Sequence, residues 1–166
     1  MEYIEKTENE NKAVTDIIKG WGSDILVTRG KIYRVENLDG ILVYDNNKIV
    51  GLGLYHIENS DCQMVLLETF IHNKGIGTQI IEKIKEIAKT QHCKRIFLIT
   101  SNDNIDAIKF YQRKGFCISN IYINAMAESR KIKPEIPFIG NYEIPIRDEI
   151  EFEMYPLTSP QQDPPG

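Results

Sequence analysis

The stretch Val65–Thr78, VLLETFIHNKGIGT, joins an apolar run to a helix through a turn built on two glycines, Gly75 and Gly77. Behind the turn, Ile80, Ile81, Ile84, Ile87 and Ala88 recur at helical spacing, while Gln79, Glu82, Lys83, Lys85, Glu86 and Lys89 fill the other face. That pattern predicts an amphipathic helix opening at the glycines. The first turn of a helix carries unpaired N–H groups at the positive end of the macrodipole, so an anion binds there if backbone can approach it. Glycines at such a junction also serve to tighten a turn or to bring helix against sheet, and on the turn alone both readings stand. Two nucleotide motifs are excluded. A dinucleotide fingerprint needs a small residue where bulky Ile80 stands and an acidic residue at the end of the next strand, which ends in Ile99 and Thr100. A P-loop needs a wider glycine spacing followed by Lys-Ser/Thr, whereas Ile76 alone separates Gly75 from Gly77.

Outward from the turn, Gln63–Ile71 and Ile96–Ile99 are near-continuous apolar runs, the character of strands buried on both faces. Strand, helix, strand of this kind predicts a parallel, right-handed crossover. Upstream, Glu2–Lys6 reads as a strand and Asn9–Lys19 as a helix burying Ala13, Val14, Ile17 and Ile18, ended by Gly20 and Gly22. Ile25–Val27 reads as a short strand with a turn at Arg29-Gly30. Gly40–Tyr44 and Lys48–Ile57 read as an antiparallel hairpin joined by Asp45-Asn46-Asn47. Downstream, a helix begins around Asn102–Asn104, which can cap it, and stops at Gly115, suited to the left-handed position after a helix. Cys117–Ile123 follows as a strand and Asn124–Lys133 as a short helix. Pro134, Pro137 and Pro145 make the next stretch an extended loop. Glu149–Met154 alternates Ile150, Phe152 and Met154 against Glu149, Glu151 and Glu153, the pattern of a closing strand with one wet face. No internal repeat is present.

The segment Asn104–Phe116, NIDAIKFYQRKGF, adds a second constellation. Together the two stretches resemble the GNAT N-acetyltransferase superfamily. Its pyrophosphate motif, Q/R-x-x-G-x-G/A, falls on His72 to Gly77, with His72 in place of the usual Gln or Arg. Its later motif, N-x-x-A-x-x-F-Y-x-x-x-G-F, is matched at Asn104, Ala107, Phe110, Tyr111, Gly115 and Phe116. The resemblance implies an α/β (α+β) fold: a mixed, mostly antiparallel six- to seven-stranded sheet with a central parallel strand pair, flanked by helices. It implies acetyl-CoA as cosubstrate, and transfer of acetyl to a primary amine of a small molecule or protein by direct attack in a ternary complex.

Site residues follow from the same resemblance. The N–H groups of Lys74, Gly75, Ile76, Gly77 and Thr78 would cradle the pyrophosphate, with Thr78 adding a hydroxyl. The strand before the turn would splay from its neighbour and leave backbone groups of Phe70, Ile71 and His72 for the pantetheine arm, with an N–H near Phe70 polarising the thioester carbonyl. Asn104, Ala107 and Phe110 would line the cofactor, Asn104 also serving as a helix cap. Tyr111 is the candidate general acid, since a phenol of pKa near 10 is protonated at neutral pH and can donate to a thiolate; its bland alternative is a core aromatic. Glu68 breaks an apolar run two residues before the thioester site and is either a base or a carboxylate satisfied at the core's edge, with solvent water the alternative base. His72 is a second candidate base or a residue of the cofactor mouth. Trp21 and Arg29, with Tyr33, border the acceptor side in the resembling family, and the stretch 131–147 covers it from the other side. A non-catalytic CoA-binding regulatory module is the alternative function; retention of Asn104 and Tyr111 favours the enzyme.

Composition sets outer bounds. A chain of 166 residues is one domain by prior. It buries roughly 68 to 70% of the surface its unfolded form exposes. The expected domain is 1–157, with 158–166, rich in Pro and Gln, a tail without fixed structure. Cys62, Cys93 and Cys117 form no C-x-x-C pair, so neither a disulfide framework nor a metal site is expected, and a cytoplasmic setting fits. No leader or apolar run long enough for a membrane span is seen. A net charge of −4 gives no reason to expect nucleic acid. A homodimer is left open.

Overall fold

A computed structural model describes residues 1–156. In chain order it runs β1 (Glu2–Glu5), α1 (Asn11–Lys19), β2 (Leu26–Thr28), β3 (Lys31–Tyr33), β4 (Asp39–Asp45), β5 (Lys48–Glu58) and β6 (Asp61–Thr69). It continues through α2 (Ile76–Thr90), β7 (Arg95–Ser101), α3 (Ile105–Arg113), β8 (Cys117–Tyr122), α4 (Ala125–Ile132) and β9 (Glu149–Met154). Seven strands form one sheet in the order β1-β4-β5-β6-β7-β9-β8, and β2 and β3 form a separate hairpin. The central pair β6–β7 is parallel and the other neighbours are antiparallel. The mixed, mostly antiparallel sheet flanked by helices is therefore the architecture expected. The β4–β5 hairpin turns on Asn46 and Asn47, both at positive φ (47° and 61°), the geometry a tight hairpin demands of its central residues.

The sheet buries a face on each side. Ile76, Ile80, Ile81 and Ile84 of α2 pack with Ile41, Val43, Ile96, Leu98 and Phe152 on one face. Val14 and Ile18 of α1 pack with Leu42, Leu52 and Leu54 on the other. Helix α2 can lie close because β5 offers glycines: a Cβ at Gly53 would sit 2.4 Å from Ile80 Cγ2, and one at Gly51 2.6 Å from Ile76 Cγ2. Gly53→Ala is expected to destabilise the fold by about 1 to 3 kcal/mol through overpacking. Pushing α2 off the sheet also moves the Gly75–Thr78 turn, so denaturant melts should report the loss. A variant as stable as the parent would show that α2 has room to shift.

Several expected details differ. The first helix starts at Asn11, after a 3-10 turn at Glu8–Glu10 capped by Thr7, and Ala13 is exposed. The strand expected over Gln63–Ile71 spans Asp61–Thr69, and only Cys62, Gln63 and Met64 are buried on it, because β7 peels away beyond Met64. Strand β9 does not close the sheet. It lies between β7 and β8, and its expected wet face is covered: Glu149 and Glu151 are buried. Glu151 accepts from Arg95 (3.2 Å), Ser119 (2.7 Å) and Tyr122 (3.0 Å), while Arg95 also bridges Asp61 (3.0 Å) and Glu153 (2.9 Å).

The long loop before β9 is pinned as well as extended. It holds a 3-10 turn at Asn141–Glu143 and a bridge between Ile139 and Pro145. Buried Asp103 accepts from the Asn141 backbone (2.9 Å) and side chain (3.1 Å). Asn102 accepts from the N–H groups of Arg147 and Asp148 (both 3.0 Å). The tail expected at 158–166 lies outside the described residues.

Candidate active site

A bulge opens the site. The β5–β6 register steps from Leu54↔Leu66 to Tyr55↔Met64, leaving Val65 without a partner, and such an extra residue bends its strand. Strand β6 therefore pairs with β7 only from Asp61 to Met64; beyond that, Ile99, Thr100 and Ser101 of β7 keep only their β9 partners. The two parallel strands part, and a cleft of about 630 Å³ opens between the outer half of β6 and α3. Its walls are Leu67, Glu68 and Thr69 of β6, the turn from Ile71 to Thr78, and Asn104, Asp106, Ala107, Phe110 and Tyr111. Of the residues expected to touch a cofactor, only Phe70 is outside it.

The glycines of the turn divide their work. Gly75 is in the left-handed region (φ 70°), and a Cβ there would meet nothing within 4 Å, so the residue makes the turn and leaves the approach open. Gly77 sets a distance: its Cβ would sit 3.3 Å from the Phe110 ring and 3.6 Å from the Thr69 methyl. Gln79 is the first residue of α2 to bond back, to the Gly75 carbonyl at 3.1 Å. The N–H groups of Ile76, Gly77 and Thr78 are thus the unpaired donors of the helix start, and all three residues line the cleft. Such a row of donors fits a pyrophosphate. Lys74 and His72 line the same mouth with exposed side chains.

The backbone register corrects the reading of Phe70. Its N–H donates to the Val50 carbonyl at 2.9 Å, and its side chain is 44% exposed. Antiparallel pairs alternate in the direction of their bonds, so Glu68 and Leu66 also turn their backbone groups to β5. Leu67 and Thr69 are the residues that turn theirs toward the gap. The Thr69 N–H is met by Glu68 Oε1 at 3.2 Å, so the half-buried carboxylate sits at the cleft edge with a local donor of its own.

Tyr111 forms the opposite wall. It is 8% exposed, and its ring makes edge contacts with Phe110 (5.4 Å between centroids) and Phe116 (5.7 Å) and tilts against Phe152 (6.3 Å). Burial pushes its pKa above the usual phenol value, and the Glu68 charge pushes it the same way. Gly115 at φ 92° turns the chain so that Phe116 can pack back on this ring. Asn104 caps α3, accepting the Ala107 N–H at 3.4 Å, and donates to Thr100 Oγ at 3.1 Å.

Comparison with known proteins places the whole sheet. The family model described as "Acetyltransferase (GNAT) family" matches residues 7–116. The chain belongs to the GNAT acetyltransferase family. Among its relatives, "Uncharacterized protein YxbD" of Bacillus subtilis (strain 168) is 44% identical over 133 residues, covering 80% of this chain and 84% of that one. The "Spermine/spermidine N(1)-acetyltransferase" of the same organism is 28% identical over 129 residues, 63% of this chain and 85% of that one. A solved GNAT family acetyltransferase from Elizabethkingia anophelis with acetyl-CoA bound shares the fold at TM-score 0.66 and 18% identity, covering 93% and 97% of the two chains.

Within this GNAT sheet the expected acceptor residues lie elsewhere than the cleft. Trp21 is exposed just past the end of α1. Arg29 stacks on the Tyr122 ring, its guanidinium carbon 3.4 Å from the centroid, and so belongs to the layer over β8 and β9. Tyr33 is buried and donates to Gln63 at 2.7 Å. Leu67, Thr69, Asn73 and Asp106 line the cleft without having been singled out by sequence. Asn73, at φ 60°, carried one signal: asparagine tolerates the left-handed conformation such a turn needs. Among the described residues no cluster of His, Cys, Asp and Glu could hold a metal, and no helix is long and apolar enough to cross a membrane.

Proposed function

We propose that this GNAT protein is an acetyl-CoA-dependent N-acetyltransferase that transfers acetyl to a primary amine by direct attack in a ternary complex. The observation that carries this is the cleft itself: unpaired helix N–H groups at one end and the Tyr111 hydroxyl at the other, across a gap that a thioester can enter. The N–H groups of Ile76, Gly77 and Thr78 would hold the pyrophosphate, and the Leu67 N–H and the Leu67 and Thr69 carbonyls would be offered to the pantetheine arm. The amine nitrogen attacks the thioester carbonyl carbon, the C–S bond breaks, and Tyr111 gives its proton to the departing thiolate. The amine's own proton leaves to Glu68 or to water. The acceptor class agrees with what the spermine/spermidine relative is named for.

Two measurements test the reading. At roughly a hundredfold excess over Kd, acetyl-CoA should stabilise the protein by about 2.7 kcal/mol, read as a rise in Tm. Thiol release from acetyl-CoA should then appear with at least one amine of a panel. No thermal response would remove the cosubstrate. Binding with no turnover on any amine would leave a CoA-binding regulatory module.

A further inference from the structure

Val65 of β6 and Ile99, Thr100 and Ser101 of β7, on either side of the gap, line a space separate from the cofactor cleft. Ile150 and Phe152 of β9 join the layer of α2 and α3, so Glu149 faces the other way, toward β2 and α4. There a second cavity of about 240 Å³ is walled by Leu26, Val65, Ile99, Met126 and Ile136. It is one hydrogen bond from the cofactor cleft: Thr100 lines the cavity, and its hydroxyl accepts from Asn104, which lines the cleft.

Glu149 is the acidic group of this cavity. It is 4% exposed, and its hydrogen bonds come from neutral donors, the Arg29 N–H (3.2 and 3.4 Å) and the Ser129 hydroxyl (3.2 Å). Lys133 also lines the cavity, but its ammonium donates to the Ile25 carbonyl at 3.3 Å, and the Arg29 guanidinium lies on Tyr122. A carboxylate has about four acceptor sites, so Glu149 keeps capacity for a further donor. Buried charge is costly unless paired, which makes a cation the fitting occupant. Burial pushes the Glu149 carboxyl upward, opposed by the Arg29 N–H, the Ser129 hydroxyl and the Arg29 charge. The size limits that occupant: drug-sized sites run from about 300 to 1,000 Å³, so a cavity below that range takes a small molecule.

We propose that this cavity receives the acceptor and that Glu149 holds a second cationic group on it, selecting small diamines with an apolar body over monoamines. This rests on the N-acetyltransferase reading for the reacting amine, while the anchoring step is a binding event of its own. Calorimetric titration of hexamethylenediamine and of hexylamine, its single-amine match, into protein saturated with CoA tests it without turnover. The diamine is expected to bind about tenfold or more tightly than hexylamine, as a desolvated charged hydrogen bond allows. Glu149→Gln, close in shape, is expected to abolish that preference and to leave CoA binding unchanged. Equal affinity for the two amines in the wild type overturns the proposal without any variant, as does a diamine preference that survives Glu149→Gln. Diamine binding with no thiol release on any amine would sink the acetyltransferase reading alone. Thiol release with other amines and no diamine preference would sink the anchor alone.

Discussion

Tyr111→Phe is expected to lower acetyl transfer by about 10² to 10⁴-fold, the usual worth of a positioned general acid. The fold should not suffer, since the ring contacts with Phe110, Phe116 and Phe152 survive and the lost hydroxyl makes no hydrogen bond to another described residue. Affinity for acetyl-CoA, measured by calorimetry, should hold. The pH profile adds a second readout. Burial and the Glu68 charge raise the phenol above its ordinary value of 10.0, so the neutral donor persists and Tyr111 produces no loss of activity up to that pH. The same shift makes the fold sensitive to alkali: stability is untouched by this group below pH 10.0 and falls as pH climbs from there through the higher folded value. A Phe variant as fast as the parent would remove Tyr111 from the chemistry.

Phe152→Ala should be the most damaging of the core truncations around the site. Phe152 is wholly buried on β9, between β7 and β8, and its ring lies against Tyr111. Removing such a side chain costs about 3 to 5 kcal/mol. Total stabilities run only from about 5 to 15 kcal/mol, so the loss is a large share. For a chain of this size, Tm should fall by roughly 6 to 20 °C, at about 2 to 4 °C per kcal/mol. Activity should fall further than stability alone explains, because Tyr111 loses the floor that sets its ring. A loss under about 1 kcal/mol in denaturant melts would mean that the core does not close on β9, against the burial seen.

What the sequence carried well was local. The spacing of Ile80, Ile81 and Ile84, the cap at Asn104 and the stop at Gly115 each depend on a few neighbouring residues, and the structure holds all of them. The parallel crossover was equally readable, since an amphipathic helix between two apolar runs has few other uses. Phe70 was misread because backbone direction depends on register, and register here turns on the bulge at Val65, whose apolar side chain announces nothing. The glutamates of β9 were misread for a different reason. Alternation tells which residues share a face but not what covers that face, and Glu149 and Glu151 meet Ser129, Arg95 and Tyr122, contributed by distant parts of the chain.

The place of β9 also shapes how the molecule can be made. Among the described strands β8 pairs only with β9, yet residues 117–122 leave the ribosome well before 149–154. Domains form as the chain emerges, at about 5 to 20 residues per second, and until the last strand arrives β7 and β8 each present an open edge. On β8 that edge carries exposed Ile118 and Ile121. A chain stalled or clipped before residue 149 would therefore be a sticky species, prone to pair with foreign strands rather than wait for its own.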